Sequence, residues 1–334
     1  MAALLGGAVS HDRIQRLLAR RDFTSADLWL LVKPHVRAIE QADGVLIVDD
    51  SIAEKPYTDE NDIIAWHYDH AQGRTVKGIN FLSALYHAPA PAVSLPVGFR
   101  LVAKTEEYVD KKDGKTKRRS PISKNEHYQA LIRQAHTNGV CFRYVLNDIW
   151  YASAENMMFV RHTVEREFIM PVKSNRKVAV SATDKQHGQY VSVQSLPLEA
   201  GMVQIVYVEA VDFPLALTKQ VFANEDGSVG LQYLVTSDVH LDAAAMTTIY
   251  RTRWNVEPYH KSLKQNAALE RSPTRTVRTQ TNHLFAALCG YVKLELLKTR
   301  HQLNHFALKT KLHRRALQIA FAELQQLQPI ALAA

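Results

Sequence analysis

The spacing of apolar residues changes several times along the chain. In "SHDRIQRLLARRDFTSADLWLLVKP", Ile14, Leu17 and Leu18 recur at helical intervals behind Ser10, an N-cap residue type. A second helix, capped by Thr24 or Ser25 and carrying Leu28, Leu31 and Val32, is expected to end near Pro34, where a backbone donor is lost. After Asp43-Gly44 the apolar runs become continuous. "GVLIVDDS" reads as a buried central strand ending in two carboxylates, and "KGINFLSALYH" and "AVSLPVGFRLVAKTEEYVD" read as antiparallel neighbours. Helical spacing returns over 124–138 (Tyr128, Leu131, Ile132, Ala135) and stops at Gly139. "VCFRYVLND" is a strand ending in Asp148, "ASAENMMFVRHTV" a helix and "EFIMPVKSNR" a further strand. From about 177 to 240, Val, Gln, Ser, Tyr and Gly turns predict an all-β segment, and from Asp242 onward the pattern is helical. The economical fold is an α/β core interrupted by a β-rich insert, with helices at both ends.

Composition narrows the function classes. The 334 residues are 46% hydrophobic and 22% charged, enough for a sizeable core. Two cysteines, Cys141 and Cys289, exclude a disulfide framework and a cysteine-rich zinc site, so a reducing compartment is expected. No apolar run approaches the roughly 20 residues of a membrane span, and no apolar leader is apparent, so neither membrane insertion nor secretion is expected. The net charge of +8 favours an anionic partner such as nucleic acid. Arg13, Arg16, Arg20 and Arg21 make one basic face, suited equally to a DNA-end-binding element or to a solvated helix surface. Lys111, Lys112, Lys115, Lys117, Arg118 and Arg119 surround an Asp113-Gly114 turn, as a phosphate-tracking hairpin tip or a charged loop would.

The chemistry lies in the acids. A carboxylate at the end of a buried strand is costly unless it is paired, hydrogen-bonded or bound to a cation. Adjacent parallel strands would bring Asp49 and Asp148 together, and two like charges in close approach need a cation between them. Hard oxygen donors suit Mg²⁺ or Mn²⁺ rather than zinc. A third acid stands in "YRTRWNVEPYHKSLK", residues 250–264. On a continuous helix Tyr250, Arg253, Glu257 and Lys264 would share an arc about 60° wide, with Val256, Tyr259 and Leu263 on the opposite, core-facing side. Pro258 predicts a kink or break at that point. His67 and His70 have the i, i+3 spacing of a metal pair, although chance pairs are common among 15 histidines.

Tyr250, Arg253, Glu257 and Lys264 satisfy Y-x2-R-x3-E-x6-K, which resembles the signature of bacterial DDE transposases of the insertion-sequence-four type. "LIVDDSIAEKP" resembles the first acidic block of that group, a strand followed by D-x-[ST]. "VLNDIWYAS" resembles the second, an Asp followed three residues later by an aromatic, here Tyr151. The resemblance covers nearly the whole chain, with 148 − 49 = 99 residues between the first two acids and 257 − 148 = 109 between the last two.

The resemblance implies a ribonuclease-H-like catalytic core. The expected organisation is an N-terminal helical DNA-binding element over 1–42, the first part of the core over 43–176, a β-rich insertion over 177–241, a core helix with the third acid over 242–272 and a C-terminal helical region over 273–334. It implies that Asp49, Asp148 and Glu257 are catalytic and bind Mg²⁺ or Mn²⁺, two ions in all, with Asp49 preferred to Asp50. Tyr250, Arg253 and Lys264 would grip phosphates, Trp254 would stack a flipped base, and Lys173 and Arg176 of "VKSNR" would contact DNA. Residues 177–248 lack the second tryptophan of well-known relatives, leaving Phe222 or Tyr233 as substitutes. The implied partners are double-stranded DNA, as terminal inverted repeats and target, and a second copy of the chain in a synaptic homodimer without a membrane. The implied location is the bacterial cytoplasm, at the nucleoid. A Mg²⁺-dependent nuclease without transposition and a non-enzymatic, transposase-derived DNA-binding protein are the alternatives.

Overall fold

The computed structural model describes residues 10–70, 72–111, 114–223 and 227–327. In chain order the elements begin with α1 (His11–Arg20), α2 (Ser25–Ile39), β1 (Val45–Glu54), β2 (Ile64–Asp69), β3 (Arg74–Ala88), β4 (Val93–Leu101), β5 (Glu106–Val109) and β6 (Thr116–Arg119). Next come α3 (Lys124–Thr137), β7 (Tyr144–Asn147), α4 (Ala154–Met158), β8 (Glu167–Val172), β9 (Lys177–Ala179), α5 (Ala182–Gln186), β10 (Val191–Ser192) and β11 (Val203–Val208). The series ends with β12 (Leu215–Ala223), β13 (Val229–Thr236), α6 (Ala243–Arg251), α7 (Val256–Gln265), α8 (Val277–His301) and α9 (His305–Leu327). Two compact units result. One spans Ser25–Pro258, and the other combines residues up to Thr24 with those from Tyr259 onward.

The larger unit is built on an eleven-stranded mixed sheet in the order β10-β9-β11-β12-β13-β8-β7-β1-β3-β2, with β4 also paired to β3. β1 is antiparallel to β3 along its whole length and parallel to β7 from Val45↔Tyr144 to Val48↔Asn147, and β7 is parallel to β8. The apolar run of β1 is explained by this central position: Val45, Leu46, Ile47 and Val48 are fully buried. The strand does not end at its carboxylates, as the sequence pattern predicts. β3 keeps pairing as far as Glu54, whereas β7 leaves after Asn147, so the acids lie where one neighbour departs.

α2 also departs from expectation, because it runs through Pro34 to Ile39. Burial of Leu28, Val32 and Val36 holds the helix on β4, while the carbonyl that Pro34 deprives of a donor belongs to Leu30, on the exposed side at 71%. α2 and α3 converge over Gly98 of β4, where a Cβ would lie 3.1 Å from Leu131 and 3.6 Å from Ser25, so a larger residue would require the Leu131 side chain to shift. α3 starts at a capping box in which Ser123 Oγ accepts from Glu126 N and Glu126 accepts from Ser123 N. Ser123→Ala should therefore lower stability by about 1 kcal/mol, measured as a shift in the urea midpoint with an unchanged slope.

The segment expected to be an insert, 177–241, joins the sheet through β13, antiparallel to β8. It is not all-β: α5, capped by Ser181 accepting from Asp184 N, and a 3₁₀ turn at Val193–Ser195 interrupt it. Asp113, in the basic turn, lies outside the described residues, while Gly114 beside it has φ +66°.

In the second unit Ser10 caps α1, its Oγ accepting from Arg13 N at 3.3 Å. Asn282 of α8 fastens the end of α1. Its Nδ2 donates to the Leu18 and Arg21 carbonyls at 2.6 and 2.7 Å, and its Oδ1 accepts from Phe23 N. Carbonyls left without partners at a helix end are thereby satisfied.

Candidate active site

Asp49 and Asp148 come together because β1 and β7 are parallel neighbours. Val48 and Asn147 are register partners, and the next residue of each strand is an aspartate. Asp148 leaves its strand to cap the 3₁₀ turn Ile149–Tyr151, its carboxylate accepting from Ile149 N. Asp49 accepts from Asp50 N at 2.9 Å and has the Arg253 guanidinium 3.6 Å away.

The two acids of β1 have opposite surroundings, as alternation along a strand requires. Asp50 is enclosed by donors: Lys124 Nζ at 2.7 Å, the Tyr151 hydroxyl at 2.7 Å and Asn80 Nδ2 at 2.9 Å. Burial works against its ionisation, but the Lys124 charge and these hydrogen bonds outweigh burial and hold the carboxyl below its ordinary value. Asp49 is pushed up to about 7 by burial first, then by the Asp50 charge, with Asp148 adding to the effect and Arg253 opposing it. Asp50 is thus a satisfied structural anion, and Asp49 is a carboxylate short of positive charge. Tyr151 packs against Tyr128 with ring centroids 5.0 Å apart, and the Tyr128 hydroxyl donates to Asn147 Oδ1. One buried network therefore fixes both Asp50 and the strand end that carries Asp148.

The segment 250–264 is not one helix. α6 ends at Arg251, a 3₁₀ turn spans Thr252–Asn255 and α7 begins at Val256. The break precedes Glu257. Pro258 sits in the first turn of α7, where no intrahelical donor is required. The single arc expected of a continuous helix is therefore absent. Tyr250 is 3% exposed, and its hydroxyl donates to the Asn147 carbonyl at 3.3 Å. Arg253 is 8% exposed, and its buried Nε has no hydrogen-bond partner. Its guanidinium lies 4.9 Å from the centroid of Trp254, which is 58% exposed, so Trp254 is a surface ring rather than a core one. Glu257 is exposed on the first turn of α7. Lys264 belongs to the other compact unit, where it lies 3.7 Å from Glu270.

Among the described residues no group of three or more His, Cys, Asp or Glu side chains is close enough to hold a metal ion. The Asp49–Asp148 pair nonetheless suits a hard divalent cation, since it offers carboxylate oxygens and since Asp49 is pushed up by burial and its acidic neighbours with the Arg253 guanidinium 3.6 Å away. His67 and His70 do not form a site. His67 lies within β2, where it is buried and pushed down to about 3 by burial, then by Lys104 and Lys124, whereas His70 follows the end of the strand and is exposed.

Lys173 and Arg176 flank the turn that follows β8, where Arg176 N donates to the Lys173 carbonyl at 2.9 Å. Of the aromatics in the insert, Tyr233 is buried and Phe222 covers Gly230, its cross-strand partner. Sequence reasoning missed Lys124 and Asn80 as partners of Asp50. Neither lies near it in the chain, and no local pattern marks them.

Residues 1–190 match a family model described as DDE superfamily endonuclease, and residues 122–293 match one described as Transposase DDE domain. No curated protein matches the chain. Among solved structures, the catalytic domain of human Endonuclease V is similar at 11% identity and a TM-score of 0.29, over 72% of this chain and 97% of that one. Kluyveromyces polysporus Argonaute with a guide RNA is similar at 12% identity and a TM-score of 0.23, over 82% of this chain and 33% of that one. Among the described residues no helix is long and apolar enough to cross a membrane. Enzymes of the DDE superfamily generally use divalent metal ions, and transposases bind DNA. Each family model spans more than half of the sequence, and the chain belongs to the DDE transposase and endonuclease superfamily.

Proposed function

We propose that the protein is a DNA transposase of the insertion-sequence-four type, cutting at terminal inverted repeats and joining them to target DNA. The observation that carries this reading is the register of β1 and β7, which sets Asp49 beside Asp148. The mixed sheet, with β3 antiparallel and β7 and β8 parallel to β1, is what a ribonuclease-H-like core would need at its centre. In this reading Asp49, Asp148 and Glu257 would hold Mg²⁺ or Mn²⁺, two ions in all, whose charge would activate a water or 3′-hydroxyl and stabilise the leaving oxygen. Arg253 holds the Asp49 carboxylate in place, and Tyr250 supports the Asn147 carbonyl behind Asp148. Trp254, Lys264, Lys173 and Arg176 are assigned to DNA, and two copies of the chain to paired ends. A bacterial cytoplasmic location at the nucleoid follows from the reaction.

The experiment is strand cleavage of a labelled duplex carrying the element's own end, in Mg²⁺, Mn²⁺ or EDTA, with wild type and Glu257→Gln. Metal-dependent nicking at the end should fall by at least about 100-fold in the variant. Equal cutting by both proteins removes Glu257 from the site. The match of residues 1–190 to an endonuclease model favours a second reading, a Mg²⁺-dependent nuclease without transposition. Cleavage of the end with no joined product in the presence of target DNA would select it.

A further inference from the structure

The geometry points to a second nucleic-acid site: Trp150, with His70, Lys173 and Arg176, binds an unpaired nucleotide of a DNA strand. The inference rests on the proposed reaction for its choice of DNA, and on its own geometry for the site.

The 3₁₀ turn after Asp148 advances about 120° per residue, so it sends its two aromatics in different directions. Tyr151 turns inward to Asp50 at 2% exposure, while Trp150 turns out at 55%. A tryptophan so exposed offers a large flat surface for a base. His70 lies against the ring, with centroids 4.5 Å apart and planes 30° from parallel. The Lys173 ammonium sits 5.0 Å from the Trp150 centroid. Attraction of that kind is weak at an exposed site, and the flexible lysine stem allows the ammonium to yield the ring to a base and take a phosphate instead.

Trp150 borders a cavity of about 590 Å³, lined also by Lys173, Asn175, Arg176, Lys177 and Glu209. That volume lies within the range of small-ligand pockets and exceeds the needs of one nucleotide. Three cations against one carboxylate make its wall favourable to a phosphate. Arg176 is half-buried, its guanidinium pushed down by burial and supported by Glu209. The aromatic surface continues outward. Tyr68 meets His70 edge-on at 4.8 Å, and Trp66, two residues earlier on the sheet-edge strand β2, is exposed on the same face. Isolated exposed aromatics are ordinary, but a row of them ending in a cationic cleft is the arrangement on which successive bases stack.

The test is equilibrium binding in EDTA, so that no cleavage enters the readout. The probes are an oligothymidylate of about 12 nucleotides and a duplex of equal length, with the full chain as wild type, Trp150→Ala and Trp150→Phe. Trp150→Ala should weaken oligothymidylate binding about tenfold or more and change duplex binding by less than about twofold, while Trp150→Phe stays within about threefold of wild type. Equal binding by wild type and Trp150→Ala, equal losses on both probes, or absence of binding to oligothymidylate by wild type overturns the assignment. Tighter binding to oligouridylate than to oligothymidylate overturns the choice of DNA. Failure of cleavage by Glu257→Gln or by wild type leaves these outcomes unaffected.

Discussion

Asp148→Asn is expected to lower metal-dependent strand cleavage roughly 10³-fold while leaving the fold intact. Asp148 has two separable tasks. It caps the 3₁₀ turn by accepting from Ile149 N, and it places a carboxylate beside Asp49. Asparagine caps nearly as well as aspartate, so the turn and the positions of Trp150 and Tyr151 should persist. What disappears is the negative charge. A divalent ion supplies several kcal/mol of charge stabilisation in the transition state of phosphoryl transfer, and losing about 4 kcal/mol corresponds to roughly three decades in rate. The measurement is the single-turnover nicking rate in Mg²⁺, with a thermal unfolding curve on the same sample. A variant that keeps its unfolding midpoint and still cuts within about tenfold of wild type would remove Asp148 from the reaction. Asp50→Asn is the contrast, since Asp50 is committed to Lys124, Tyr151 and Asn80. Its main deficit should be stability, because it leaves a buried set of donors without their anion.

The neighbourhood of Asp49 and Asp148 was legible in the sequence because burial is a strong constraint. Two apolar runs that end in aspartate each carry an electrostatic cost, and parallel pairing makes that cost a shared one. The choice of Asp49 over Asp50 came from the resemblance to D-x-[ST], and side-chain alternation along β1 then put Asp50 on the other face. Three features were hidden for physical reasons. The length of β1 depends on β3, a partner more than twenty residues on, and nothing in "SIAE" announces it. The break before Glu257 has no glycine or proline of its own. Pro258 marks the region, but in the first turn of a helix it costs nothing, so the pattern of a continuous helix was the wrong period to apply. β2 was obscured because "IAWHYD" lies on the sheet edge with aromatics on its exposed face, reversing the usual sense of apolar-in and polar-out.

Asp49→Asn should stabilise the metal-free protein at about pH 8 by on the order of 2–4 kcal/mol and have little effect at about pH 4. The sign follows from the direction of the shift. Burial and the Asp50 charge raise the Asp49 carboxyl from 3.8 to about 7, so the folded chain retains a proton that the unfolded chain has already released. Below pH 3.8 both states are protonated and no penalty exists. Between 3.8 and about 7 the penalty grows as pH rises, and above about 7 it is complete. Asparagine resembles the protonated acid. It keeps an oxygen to accept from Asp50 N and has no charge to repel Asp50 or Asp148. Urea unfolding in EDTA across this range should show wild type losing stability from about pH 4 to pH 7, with that part of the slope absent in the variant. Mg²⁺ should reverse the order, because a cation that binds only the folded wild type raises its stability with concentration and does little for Asp49→Asn. If wild type in EDTA is no less stable than Asp49→Asn at about pH 8, the carboxylate has no deficit of positive charge and the case for a cation at Asp49 fails.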